Sequence, residues 1–178
     1  MKEYLKDVLA SSYQNKKTAQ NTLEKYGAKV DRELSGKEAK VFIDEEGKPN
    51  VAVRGSKNWK DFLISDPLLA VGLGKYDPRK RRTDELIQRV KDKYQVEPNL
   101  YGHSLGGHLV SGANTKGTIT TFNKGVGLGD LFKRMPDNQK DIRTTGDSVS
   151  VLSATQSGGK KELVNNPNVL SAHSISNL

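Results

Sequence analysis

Val96-Glu97-Pro98-Asn99-Leu100-Tyr101-Gly102-His103-Ser104-Leu105-Gly106-Gly107-His108-Leu109-Val110 is the stretch whose reading decides the fold. It sets a short β-favouring run before a Gly-x-Ser-x-Gly pentapeptide and a helix-forming run after it. A serine held on so tight a strand-to-helix turn clashes with its neighbours unless glycines sit two before and two after it, and Gly102 and Gly106 occupy those places. The N–H of Leu105, at the start of the following helix, then faces the position of an oxyanion formed when Ser104 attacks an acyl carbonyl. The alternative is a plain Gly-rich turn without chemistry. Context favours the former. Residues 83–94 carry Leu86, Ile87, Val90 and Tyr94 at helical spacing, 96–101 read as a strand, and 108–113 continue as a short helix that stops near 114–117. Helix, loop, strand, turn, helix is an α/β order.

A nucleophilic serine needs a base, and the chain has three histidines. His103 adjoins the serine and His108 lies one helical turn on, so a rigid turn directs both rings elsewhere, into local packing or solvent. His173, in Leu170-Ser171-Ala172-His173-Ser174-Ile175, lies late in the chain, after nucleophile and acid, and is the candidate base. The acid should leave the C-terminal end of a strand beside the serine's strand. Asp147 answers that description: Asp141-Ile142-Arg143-Thr144-Thr145 reads as a strand and Gly146-Asp147-Ser148-Val149 turns out of its end. Asp130, after the Gly125-Val126-Gly127-Leu128-Gly129 loop, and Asp137, after a Met135-Pro136 turn, are rivals better read as solvated loop carboxylates.

Three ordered blocks resemble the class 3 (fungal-lipase-like) lipases of the α/β-hydrolase superfamily, over about residues 38–175. Val51-Ala52-Val53-Arg54-Gly55-Ser56 is similar to the family's strand ending in Arg-Gly-Ser/Thr, which implies that Ser56 is the second oxyanion donor beside Leu105. The following segment, residues 57–66, resembles the short lid helix, and Trp59, Phe62, Leu63, Leu68 and Leu69 would line or cover the acyl site, Phe62 and Leu63 reading equally well as ordinary core residues. The Ser104 turn is the second block. The third, Thr121-Phe122-Asn123-Lys124-Gly125-Val126-Gly127-Leu128-Gly129-Asp130 followed by Thr145-Gly146-Asp147-Ser148-Val149, is similar to the family's Thr-Phe-Gly-x-Pro-Arg-x-Gly-Asp strand and its Asp-x-Val acid motif. The resemblance implies a three-layer α/β-hydrolase-like fold with a mixed central sheet and Ser104, Asp147 and His173 as catalytic residues. Asn123-Lys124-Gly125 departs from the common Gly-x-Pro-Arg, and the spacings from Ser104 to Asp147 and on to His173 are compact. The spacings imply a trimmed catalytic core, and the Asn-Lys-Gly-Val variant with a basic, cysteine-free chain looks more like the small members encoded by large DNA viruses and their relatives than the secreted enzymes.

At 178 residues the chain has the size of one domain with one continuous core, expected over 1–178, with a helical segment at 1–27 packed on it. Tyr4, Leu5, Val8, Leu9 and Tyr13 form that segment's apolar stripe, and Gly27 stops it. Val41-Phe42-Ile43-Asp44 and Val51-Ala52-Val53 predict a β-hairpin, and 160–170 reads as a loop delivering His173. The chain has no cysteine, which fits a cytoplasmic or virion-associated setting. Residues 1–13 are too charged for a signal peptide, and the apolar run 62–74 is broken by Asp66 and Pro67, so no membrane span is expected. No cofactor or metal is implied.

Net charge is +8. Lys75, Arg79, Lys80, Arg81 and Arg82 head a basic stretch reaching Lys93, which would hold the protein peripherally on an anionic membrane, each well-placed cation contributing about 1 kcal/mol. Nucleic acid is the weaker partner, since few aromatics are interleaved. The expected activity is that of a serine esterase, a lipase or phospholipase acting through an acyl-enzyme. The alternatives are a non-catalytic lipid-surface or virion module with a lipase-like shell, and a thioesterase or peptidase using the same three residues.

Overall fold

Asp44-Glu45-Glu46-Gly47-Lys48 turns the chain between two apolar runs, β2 (Ala39–Ile43) and β3 (Pro49–Val53), which pair antiparallel with Val41 opposite Val51. Asp44 Oδ1 accepts from the N–H groups of Glu46 (3.1 Å) and Lys48 (2.8 Å), and Gly47 takes the left-handed φ of 80° that closes the turn. A computed structural model of the protein describes residues 2–56, 78–166 and 168–178. The expected lid segment with Trp59, Phe62 and Leu63, the neighbours Leu68 and Leu69, and the cation Lys75 lie outside the described residues.

The described strands form one mixed seven-stranded sheet in the order β1 to β7. β1 (Lys29–Val30) pairs antiparallel with β2; β4 (Asn99–His103), β5 (Ile119–Phe122), β6 (Met135–Thr144) and β7 (Gly158–Val164) continue from β3 in parallel. Parallel neighbours require crossovers, and α3 (Pro78–Tyr94) and α4 (Leu105–Val110) supply helices on two of them. Pro78 opens α3, where its missing N–H costs nothing.

Period-two alternation divides the core between the two faces of the sheet. Val41, Val51, Val53, Leu100 and Ile119 pack under Ile87 and Val90 of α3 and Leu109 and Val110 of α4. Phe42, Ala52, Tyr101, Phe122 and Ile142 face Val8 and Leu9 of α1 (Lys2–Ser11) and Ala19 and Leu23 of α2 (Lys16–Leu23). The protein is thus an α/β domain with helices on both faces. Asn15 caps α2 by accepting from the Thr18 N–H at 2.9 Å, and Gly27, at φ 67°, ends the 3-10 turn that follows it. The side chains of Val8, Leu9 and Leu23 are fully buried, each contributing about 1.5–3 kcal/mol.

Three elements differ from the sequence reading. The helix after Ser104 starts at the expected Leu105, the His108 N–H closing its first turn on the Ser104 carbonyl at 3.2 Å, but ends at Val110 rather than running on to 113, because Ser111 takes an extended conformation. β6 begins at Met135, so Asp137 lies in a strand and not after a turn. Its polar start hides the strand, yet these side chains satisfy backbone groups: Asn138 Nδ2 donates to the carbonyls of Thr115 (2.9 Å) and Gly117 (2.6 Å). The first part of the loop expected at 160–170, residues 160–164, belongs to β7. As the last strand of the sheet, β7 carries the exposed charges Lys160 and Lys161 that blunt an edge against further pairing, and so lacks an apolar signature. Among the described residues, no helix is long and apolar enough to cross a membrane.

Candidate active site

β3, β4, β5, β6 and β7 run parallel, so their C-terminal ends share one edge of the sheet, the edge where open α/β sheets hold their ligands. Ser56 follows β3, Ser104 follows β4, Asp147 follows β6, and His173 follows β7 and the short helix α5 (Val169–Ala172).

Ser104 sits at φ 56°, ψ −126°, a conformation that costs a non-glycine residue about 1–3 kcal/mol. The surroundings enforce it. Its N–H donates to the Phe122 carbonyl (3.1 Å), and its own carbonyl accepts from the N–H groups of His108 and Gly125, both at 3.2 Å. The glycines serve close approach. A β-carbon on Gly102 would lie 2.4 Å from the Gly106 carbonyl oxygen, and one on Gly106 would lie 2.2 Å from that of Val53. Relief of the strain is measurable: Ser104→Gly should raise the unfolding free energy by about 1 kcal/mol after glycine's entropy cost. An unchanged or lower denaturant midpoint would mean that Ser104 stores no strain.

Asp147 and His173 meet. His173 Nδ1 lies 2.8 Å from Asp147 Oδ1, with both side chains buried. Burial works to raise the Asp147 carboxyl, but the bond and charge of His173, with the N–H groups of Ser150 (3.1 Å to Oδ2) and Val149 (3.2 Å to Oδ1), outweigh it and hold the carboxyl below its usual range. An ionised carboxylate there keeps the imidazole proton on Nδ1 and leaves the lone pair on Nε2, which is itself buried. The backbone around His173 is fixed as well: the Ala172 carbonyl accepts from Asn123 Nδ2 (2.8 Å) and Asn177 Nδ2 (3.0 Å). The rivals are engaged elsewhere. Asp130 pairs with Lys133 and stands 4.0 Å from His108 Nδ1, and Asp137 pairs with Arg134 at 3.0 Å.

The Arg54-Gly55-Ser56 segment approaches the Ser104 turn closely, since a β-carbon on Gly55 would lie 2.9 Å from Ser104 Cβ. Arg54 N–H donates to the Glu38 carbonyl at 3.0 Å, the Arg79 guanidinium holds the Arg54 carbonyl, and Gly55 N–H donates to the Tyr13 hydroxyl at 2.8 Å. Ser56 is half-buried where this segment ends.

His103 is buried in local packing between Phe122 and His173, with ring centroids 5.8 and 4.9 Å away. Burial, reinforced by the neighbouring His173, pushes its imidazole down to about 3. Between its ordinary value of 6.5 and about 3, the unfolded chain takes up a proton that folded His103 refuses. Stability therefore falls as pH drops through that window, by up to about 1.4 kcal/mol per pH unit. Urea unfolding at stepped pH should show this slope, and His103→Gln should flatten it.

The sequence reading missed a buried polar cluster beside the Ser104 helix. Lys124 Nζ contacts Asp141 Oδ2 at 2.5 Å, and Asp141 Oδ1 accepts from Thr121 Oγ1 (2.6 Å) and Gln139 Nε2 (2.7 Å). Burial pushes the Lys124 ammonium below its ordinary value, against the pull of Asp141. The basic stretch is matched by acids: Arg79 and Arg82 share Glu38 (3.8 and 2.8 Å), Lys80 faces Asp84 (2.5 Å), and Arg81 faces Glu85 (3.6 Å). No group of three or more His, Cys, Asp or Glu among the described residues is placed to hold a metal ion.

The sequence matches no protein-family model and no curated protein.

Proposed function

We propose that the protein is a serine hydrolase of carboxylic esters with an α/β-hydrolase arrangement, its substrate a lipid ester of the lipase or phospholipase kind. One observation carries the reading: Ser104 is held in a strained strand-to-helix turn at the same sheet edge to which the His173–Asp147 pair is delivered. In this account Ser104 Oγ attacks the acyl carbonyl, and His173 Nε2 takes its proton and returns it to the leaving alcohol. Asp147 keeps the imidazole in the right tautomer. Water, activated by the same base, then releases the acid and restores the serine. The Leu105 N–H and Ser56 stabilise the oxyanion, each donor contributing about 3 kcal/mol to the transition state. The resemblance assigns the acyl-chain contacts to Trp59, Phe62 and Leu63, which lie outside the described residues.

The lipid character rests on the resemblance to class 3 lipases. Ion pairs with Glu38, Asp84 and Glu85 offset much of the charge of Arg79, Lys80, Arg81 and Arg82, so attachment to anionic lipid through them and Lys75 is a secondary part of the proposal. A substrate panel tests the reading: nitrophenyl esters of rising chain length, phospholipid vesicles, acylglycerol emulsions, an acyl thioester and a peptide. Oxyester turnover that exceeds thioester and peptide turnover is expected. Dominant thioester or peptide turnover would transfer the site to another acyl class, and no turnover by folded protein would make the chain a non-catalytic shell.

A further inference from the structure

We propose that Tyr13 and His103 are positioning residues that tie the nucleophile, the base and the oxyanion segment into one hydrogen-bonded strap, a role that rests on the ester-hydrolase reading above. Four groups form it. His103 Nε2 lies 2.8 Å from the His173 carbonyl oxygen, His103 Nδ1 lies 2.8 Å from the Tyr13 hydroxyl, and that hydroxyl lies 2.8 Å from the Gly55 nitrogen.

Chemistry assigns every proton. A carbonyl oxygen only accepts, so His103 Nε2 carries the hydrogen. Burial keeps the ring neutral, which leaves Nδ1 as a lone pair. The Tyr13 hydroxyl must therefore donate to Nδ1, and burial, which pushes it up to about 12, keeps that proton in place. Its oxygen then accepts from the Gly55 N–H. The result is a single directed chain from Gly55 through Tyr13 and His103 to the His173 carbonyl.

Its ends are the parts of the site that need mutual alignment. Gly55 precedes Ser56, His103 precedes Ser104, and the far end is the backbone of the candidate base. The Asp147 contact sets the His173 ring, while the strap sets its main chain. An apolar side chain at 103 would fill the space without the cost of a buried imidazole, and would leave the Tyr13 hydroxyl without its acceptor. Reacting groups tolerate displacements of about 0.5 Å, and 1 Å costs about a hundred-fold in rate. The turn after α1 thus belongs to the working site, not only to the layer covering the sheet.

The test compares kcat, KM and melting temperature on a soluble nitrophenyl ester for wild type, Tyr13→Phe, His103→Leu and His103→Gln. Tyr13→Phe should lower kcat about 10- to 100-fold with KM nearly unchanged. His103→Leu should lower it further. His103→Gln, which restores a donor toward the His173 carbonyl, should recover part of the loss even where its melting temperature matches that of the leucine variant. Unchanged kcat in folded Tyr13→Phe, or equal rates for the glutamine and leucine variants, overturns the positioning role alone. Inactive wild type overturns the hydrolase reading and this role with it.

Discussion

On the proposed reading, Ser104→Ala should lower ester turnover by about 10⁶-fold, the loss expected when the nucleophile of a serine–histidine pair is removed and only binding and oxyanion contacts remain. The side chain is almost buried, at 6% exposure, and its removal takes one hydroxyl from a turn whose anchors are backbone bonds to Phe122, His108 and Gly125. Circular dichroism and the melting temperature should therefore stay close to wild type. Rates on a nitrophenyl ester give the comparison. A drop of less than about ten-fold would remove Ser104 from the chemistry, because general acid–base assistance alone supplies at least about a hundred-fold.

Gly102→Ala should cost the fold heavily. The added methyl meets three backbone atoms, the Gly106 carbonyl oxygen at 2.4 Å, the Gly106 carbonyl carbon at 2.5 Å and the Gly107 nitrogen at 2.6 Å, and none is a side chain that can swing away. β4 and α4 must separate, which breaks the packing of Leu109 and Val110 on the sheet. The cost is about 3 kcal/mol or more, or roughly 10 °C in melting temperature for a chain of this size. Gly36→Ala is the control: a β-carbon there meets nothing within 4 Å, and it should be neutral or slightly stabilising. Equal melting temperatures for the two variants would contradict the close-approach account.

What could be read in the sequence follows from how local its cause is. The Ser104 turn was legible because its requirement, no β-carbon at two fixed offsets, lies within five residues. The β2–β3 hairpin was legible from Asp44 and Gly47 between apolar runs. The meeting of Asp147 with His173 followed from topology, since residues leaving parallel strands emerge at one edge. β7 escaped because an edge strand is selected for charge rather than for apolar periodicity, and the first half of β6 because polar side chains there serve backbone groups of the 115–117 loop. Tyr13 escaped altogether. It bonds His103 across 90 positions, and as the last member of an apolar stripe it looks like any helix residue facing a core. His103 was read as packing, which it is, but its two ring nitrogens carry the connection between three loops. Asn123, at φ 46° and fully buried, looked like a departure from a motif, yet its amide clips the end of β6, the strand that leads to Asp147, to the turn bearing His173 through Thr144 and Ala172.

Labelling by a fluorophosphonate tests the central claim most directly, because only a serine activated by a base and held beside oxyanion donors reacts with it at a useful rate. Intact mass and peptide mapping of the wild type should show one adduct, on Ser104, absent from Ser104→Ala and strongly slowed in His173→Ala. An adduct on another serine, or none on folded protein with or without anionic vesicles, would contradict the account.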